Sequence, residues 1–118
     1  MENENGFSIE FYERNGKAPA RDFIKSQRAK VQAKIFQKIK LLQEYGNFLR
    51  EPNSKPLKDG IFELRIKESG DNYRVLYFFF KEQRIILTNG FTKKTRKTPK
   101  KEIMLALRYK EDFEGNQS

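Results

Sequence analysis

The chain has 118 residues, 36% apolar and 35% charged, and its 25 Lys plus Arg against 16 Asp plus Glu give a formal net charge of +9. That length suits one domain, expected over residues 1–118 with an ordered core from about 7 to 110, because a division in two would leave neither half a core. The absence of cysteine and histidine excludes disulfides, thiolate nucleophiles, Cys- or His-ligated metals and Ser-His-Asp chemistry, and no metal or other cofactor is expected.

Eleven Phe and five Tyr offset the low apolar share, since each ring buries a large area. Disorder throughout the chain is therefore not expected. A small domain this basic suits an acidic partner: nucleic acid, an anionic membrane or an acidic protein. The first residues, Met1-Glu2-Asn3-Glu4-Asn5, are unlike a signal peptide. The longest apolar run, Val75 to Phe80, is six residues, against the roughly 20 that a membrane-spanning helix needs. A cytoplasmic protein with no membrane partner is expected.

In chain order, Phe7, Ile9 and Phe11 alternate with Ser8, Glu10 and Tyr12 as in a strand, and Asn15-Gly16 ends it. Pro19 and Asp22 suit the first turn of a short helix over about Ala18 to Gln27 that buries Phe23 and Ile24. Val31, Ile35, Ile39 and Leu42 form the apolar stripe of a longer helix over Ala29 to Tyr45, with Gly46 as its stop. Lys30, Lys34 and Lys38 form a second stripe at spacing four. It reads either as the wet face of that helix or as a track for a nucleic-acid backbone. Asn53, Ser54 and Pro56 mark a loop.

From Ile61 the period becomes two. Phe62, Leu64 and Ile66 alternate with Glu63, Arg65 and Lys67, predicting a strand with one dry and one wet face. Ser69 to Asn72 form a turn. Tyr73 to Phe80 are apolar on both parities, as in a central strand covered on both faces. Their aromatics suit the core better than base stacking. A third strand runs from Arg84 to Thr92. Thr98-Pro99 reads as a cap and first-position proline for a last helix to about Tyr109, burying Ile103, Ala106 and Leu107, with a frayed tail from Glu111. The expected fold is α+β, a mostly antiparallel sheet in the order β-α-α-β-β-β-α with helices packed on one face and the other partly open.

Arg65 and Arg74 flank one turn of the three-strand meander, Lys58 precedes it, and Lys93 and Lys94 follow it. In an antiparallel meander such positions can converge on one edge, and fixed Lys and Arg clusters suit phosphate. Ordinary solvated surface charge is the alternative for each. Thr92 to Lys101 holds six basic residues, Arg96 and Lys97 among them, and no acid, which favours ligand binding there.

Three blocks carry a resemblance: Lys55-Pro56-Leu57-Lys58-Asp59-Gly60-Ile61-Phe62-Glu63-Leu64-Arg65, Tyr73-Arg74-Val75-Leu76-Tyr77, and Asn89-Gly90-Phe91-Thr92-Lys93-Lys94-Thr95 continuing to Glu102. Together they resemble the HigB-like, phage-derived branch of the RelE/ParE toxin superfamily, from Phe7 to about Tyr109. The resemblance implies a RelE-like domain acting as the toxin of a type II toxin–antitoxin pair. It would be a metal-independent mRNA endoribonuclease, associated with the ribosome and neutralised by a cognate antitoxin that often carries a helix-turn-helix. It further implies that Arg65 and Arg74 hold the scissile phosphate, and that Lys58, Lys93 and Lys94 position RNA or supply a base of lowered pKa. Asn89 departs from the pattern: many members of that branch have His there, and an amide cannot shuttle protons at neutral pH. A gyrase-directed toxin, or a relative retaining only antitoxin binding, is the alternative.

Overall fold

The computed structural model describes residues 6–116, so the acidic first five residues lie outside it. The elements are β1 (Ser8–Phe11), α1 (Pro19–Lys25), α2 (Ala29–Tyr45), a 3-10 turn (Gly46–Phe48), β2 (Ser54–Pro56), β3 (Phe62–Glu68), β4 (Asp71–Phe80), β5 (Arg84–Lys93) and α3 (Lys100–Gly115). The five strands form one sheet in the order β1-β5-β4-β3-β2. β1 runs parallel to β5, and the other pairs are antiparallel. The α+β class and the antiparallel meander are as the sequence predicts.

α2 forms over the span its pattern predicts. Val31, Ile35, Ile39 and Leu42 are all fully buried, and the helix stops at Gly46. Gly46 has φ +53, and an added Cβ there would fall 1.9 Å from the Phe7 ring, so both backbone and space require glycine. α1 buries Ala20 and Ile24, whereas Phe23 is half-buried against Gly90, where an added Cβ would lie 2.4 Å from its ring. On this face of the sheet α1 and α2 cover Leu64, Ile66, Val75, Tyr77, Ile85 and Leu87.

The layering differs from the expected one. α3 lies on the opposite face, where Ala106 with Leu107, Tyr109 and Phe113 covers Leu76, Phe78, Ile86 and Phe91. The cause is the two-sided apolar pattern of β4, whose second face would otherwise expose Leu76 and Phe78 to water. For the same reason α3 runs beyond Tyr109. Phe113 packs edge-on against Phe78 and Phe80, with ring centroids 5.7 and 5.1 Å apart. Asp112 accepts a hydrogen bond from the Tyr12 hydroxyl at 2.7 Å and pairs with Arg14. The segment expected to fray is thus helical to Gly115.

Two further differences bear on the site. The segment read as a loop at Ser54 and Pro56 is an edge strand, and Lys55 stands opposite Glu63. The β4–β5 ladder also carries a bulge at Leu76/Tyr77: Leu76 faces Asn89 and Tyr77 faces Leu87, leaving Thr88 as the extra residue. Beyond the bulge Asn89, Phe91 and Lys93 share the α3 face with Arg74, whereas an unbroken alternation from Ile86 would turn them away.

Candidate active site

Beside α3, on the same sheet face, lies an open groove of about 390 Å³. Its floor comes from alternate residues of neighbouring strands. Arg65 and Arg74 are direct partners in the β3–β4 ladder, and Glu63 precedes Arg65 by two residues and so shares its face. Lys55 and Lys58 form one wall, and Lys93, Arg96, Lys97 and Thr98 the other.

Glu63 is the centre of this arrangement and its side chain is fully buried. Its Oε1 accepts from Arg65 Nε at 3.2 Å and lies 3.5 Å from Arg74 Nε. Its Oε2 accepts from the Thr98 hydroxyl. Thr98 is therefore not the helix cap the sequence suggests. The cap position of α3 is Pro99, with no side-chain bond, because the Thr98 hydroxyl is committed to the sheet. Arg65 also reaches Glu51 at 3.1 Å, and Arg74 Nη1 donates to the Tyr73 carbonyl at 3.0 Å.

Charge in the groove remains positive after Glu63 is counted. Burial pushes the Lys93 ammonium below its ordinary 10.5; Glu63 opposes the shift, and Arg74, Arg65 and Lys55 add to it. Burial likewise lowers Arg74, with Glu63 opposing, and the guanidinium stays a cation. Two rigid forks and a lysine of lowered pKa around one small space can hold a phosphodiester and stabilise charge that develops on it.

Of the residues the sequence marks, Arg65, Lys58, Lys93, Arg96 and Lys97 line this groove, and Arg74, buried and not itself in the lining, joins them through Glu63. Lys94 does not; it is exposed and does not line the groove. Lys30, Lys34 and Lys38 lie on α2, across the sheet. Lys30 is 3.4 Å from Glu68, and Lys38 donates to Asn53. Asn89 is buried rather than lining the groove, and its amide donates to Glu102 Oε1 at 3.0 Å and to the Glu102 carbonyl at 3.3 Å, anchoring the first turn of α3. Sequence reasoning missed Glu63, Lys55 and the role of Thr98. The available signal was parity, since Glu63 and Arg65 sit two apart on one strand.

Among the described residues no helix is long and apolar enough to cross a membrane. The family model of phage-derived protein Gp49-like (DUF891) matches residues 22–111. Two curated relatives, each named Probable endoribonuclease HigB1, come from Mycobacterium tuberculosis strains CDC 1551 / Oshkosh and ATCC 25618 / H37Rv. Each is 39% identical to this chain over 71 residues, 58% of this chain and 55% of the relative. The chain thus spans about half the length of the curated relatives it matches. The match runs through the strands and the α3 segment that build the groove, and the HigB-like resemblance of the three motif blocks is borne out: the chain belongs to the Gp49-like family of phage-derived proteins.

Proposed function

We propose that the protein is the toxin of a type II toxin–antitoxin pair, an endoribonuclease that cleaves mRNA at the ribosome and arrests translation in the cytoplasm. A cognate antitoxin, expected to carry a helix-turn-helix domain, neutralises it. The observation that carries this reading is the pairing of Arg65 and Arg74 with one buried carboxylate, beside Lys93, in a groove that also holds Lys55, Lys58, Arg96 and Lys97. The name of the curated relatives supports it.

In this reading the scissile phosphate sits over Arg65 and Arg74. The ribose 2′-oxygen attacks phosphorus, the bond to the 5′-oxygen breaks, and the products are a 2′,3′-cyclic phosphate and a free 5′-hydroxyl. Lys93, in its neutral form, takes the 2′-hydroxyl proton, and a lysine ammonium of the groove returns one to the departing oxygen. The two guanidinium groups stabilise the extra negative charge of the pentacoordinate phosphorus. Lys58, Arg96 and Lys97 hold the flanking backbone. Each step uses a group of the chain, and the chemistry is metal-independent.

The test is cleavage of RNA by purified protein in excess chelator. Products ending in 2′,3′-cyclic phosphate, with no cleavage at a 2′-deoxy position, are expected. A second reading, a gyrase-directed toxin or a relative keeping only antitoxin binding, is favoured by Asn89, which is buried against Glu102 where a proton-shuttling residue would serve an enzyme. Intact RNA with nicked DNA in expressing cells would establish the gyrase version.

A further inference from the structure

We propose that Glu63 is the positioning residue of this groove: it aims Arg65 and Arg74 at the bound phosphate and, through Thr98, fastens the basic segment 93–98 above them. The inference rests on the proposed RNA-cleaving function but adds a role for a residue that does not touch RNA.

Among the described residues Glu63 is the sole acid lining the groove. Its side chain has no exposed surface, and both oxygens are engaged, Oε1 by a hydrogen bond from Arg65 Nε and an ion-pair contact with Arg74 Nε at 3.5 Å, and Oε2 by Thr98. A carboxylate with no exposed surface does not reach a substrate proton, which excludes it as the base. What it can do is orient. Arg65 and Arg74 face each other directly across the β3–β4 ladder, an arrangement that repels. One oxygen between the two Nε atoms offsets that repulsion, holding Arg65 by a hydrogen bond and Arg74 by charge. An apolar side chain of similar volume would fill the space, but would leave the guanidinium groups free to splay apart.

Thr98 extends the control to the facing wall. Residues 94–99 have no helix or strand. Apart from Thr95, whose hydroxyl bonds the Lys97 carbonyl within the segment at 2.7 Å, the described side-chain bond from this stretch is the one from Thr98 to Glu63. A single carboxylate thus sets the spacing between the phosphate-holding arginines and the cations Lys93, Arg96 and Lys97.

The experiment compares wild type, Glu63→Gln, Thr98→Val and Thr98→Ser. The readouts are binding of a fully 2′-O-methylated RNA oligomer, single-turnover cleavage of unmodified RNA, amide hydrogen exchange and thermal unfolding. Glu63→Gln removes negative charge from a site for a polyanion, so binding is expected to tighten about threefold while cleavage falls about 10- to 100-fold through lost alignment. Thr98→Val is expected to leave binding within about twofold, to slow cleavage about tenfold and to speed exchange at residues 94–98, with α2 unchanged and Thr98→Ser restoring both. A purely structural Glu63 would lose binding, cleavage and thermal stability together, and that result overturns the proposal. So does wild-type exchange and cleavage in Thr98→Val, a variant that keeps the buried ion pairs even where Glu63→Gln fails to fold. Wild-type protein that cuts no RNA refutes the cleavage reading alone. The segment's exchange in Thr98→Val and the oligomer binding of Glu63→Gln still decide whether Glu63 organises the groove.

Discussion

The hydroxyl of Thr88 donates to the backbone carbonyl of Leu76 at 3.0 Å, and this bond secures the bulge that turns Lys93 toward the face carrying Arg74. Thr88 is fully buried, so Val in its place keeps the volume and leaves the bulge short of one bond. Thr88→Val is expected to lower stability by about 1 to 2 kcal/mol, measured by urea unfolding. A further loss of cleavage is expected at temperatures where the variant is still fully folded, because the bulge sets the side of the sheet on which Lys93 emerges.

The two arginines differ in burial, and their alanine variants should differ accordingly. The Arg65 side chain is 23% exposed and that of Arg74 9%. Both variants are expected to lose about 2 to 4 kcal/mol of transition-state stabilisation, read as relief of growth arrest on induced expression and as slower RNA cleavage. Arg74→Ala should also cost about 1 to 3 kcal/mol of stability by leaving more buried polar surface unmatched, and Arg65→Ala should cost less, because Arg65 is the more exposed of the two and Glu63 keeps Arg74 and Thr98 beside it. Equal cleavage by wild type and both variants would remove the pair from the phosphate site.

Much of this arrangement was legible in the chain because alternation and helical spacing record burial directly. The α2 stripe, the β3 parity and the cationic content of the groove all follow from them. The layering was not legible, because the position of α3 depends on which face of β4 remains uncovered, and β4 is apolar on both. The motif points to Lys93, yet its orientation depends on a bulge that leaves no mark in the alternation of Arg84 to Lys93. Glu63 is hidden in the sequence because on a half-wet strand it reads as solvated charge. Only the register, with Lys55 on one side and Arg65 and Thr98 reaching in, makes it a buried hub.

The lysine stripe and the groove lysines should separate in a salt titration. Lys58 lines the groove, while Lys34 lies on α2, across the sheet. Lys58→Ala is expected to weaken binding of 2′-O-methylated RNA and to reduce the slope of log K against log salt by about 0.7, one fewer neutralised phosphate on a single strand. Lys34→Ala should leave slope and affinity at wild-type values. An equal loss in Lys34→Ala would restore α2 as part of the RNA track.

Alkaline pH should strain the contact between Tyr12, just past the end of β1, and α3. Burial, reinforced by the hydrogen bond to Asp112, pushes the Tyr12 phenol from 10.0 up to about 12. A folded pKa above the unfolded one means that the contribution is complete below pH 10 and is lost as pH rises through about 12. Tyr12→Phe should flatten that part of the stability profile while lowering neutral stability by about 1 kcal/mol for the lost bond. Tyr77, also raised to about 12, chiefly by burial, leaves a residual alkaline loss in the variant. Identical alkaline profiles for wild type and Tyr12→Phe would contradict the coupling to Asp112.

The pH dependence of cleavage tests Lys93 as the base. Its ammonium is held below 10.5, first by burial and then by Arg74, Arg65 and Lys55 against the opposing pull of Glu63. Below the lowered value the neutral form grows tenfold per pH unit, so the rate should climb with that slope and then level off. Lys93→Arg keeps the cation and removes the titration within the accessible range. It should bind RNA like wild type yet show a low rate with no such rise. Glu63→Gln removes the group that opposes the shift, so its plateau should begin at lower pH. For stability, the unfolded chain binds the proton more tightly than the folded one. The contribution therefore increases as pH rises from the lowered folded value toward 10.5, and is absent below that window. A rise of the same slope in Lys93→Arg would assign the base to another group and leave Lys93 as a phosphate-holding cation.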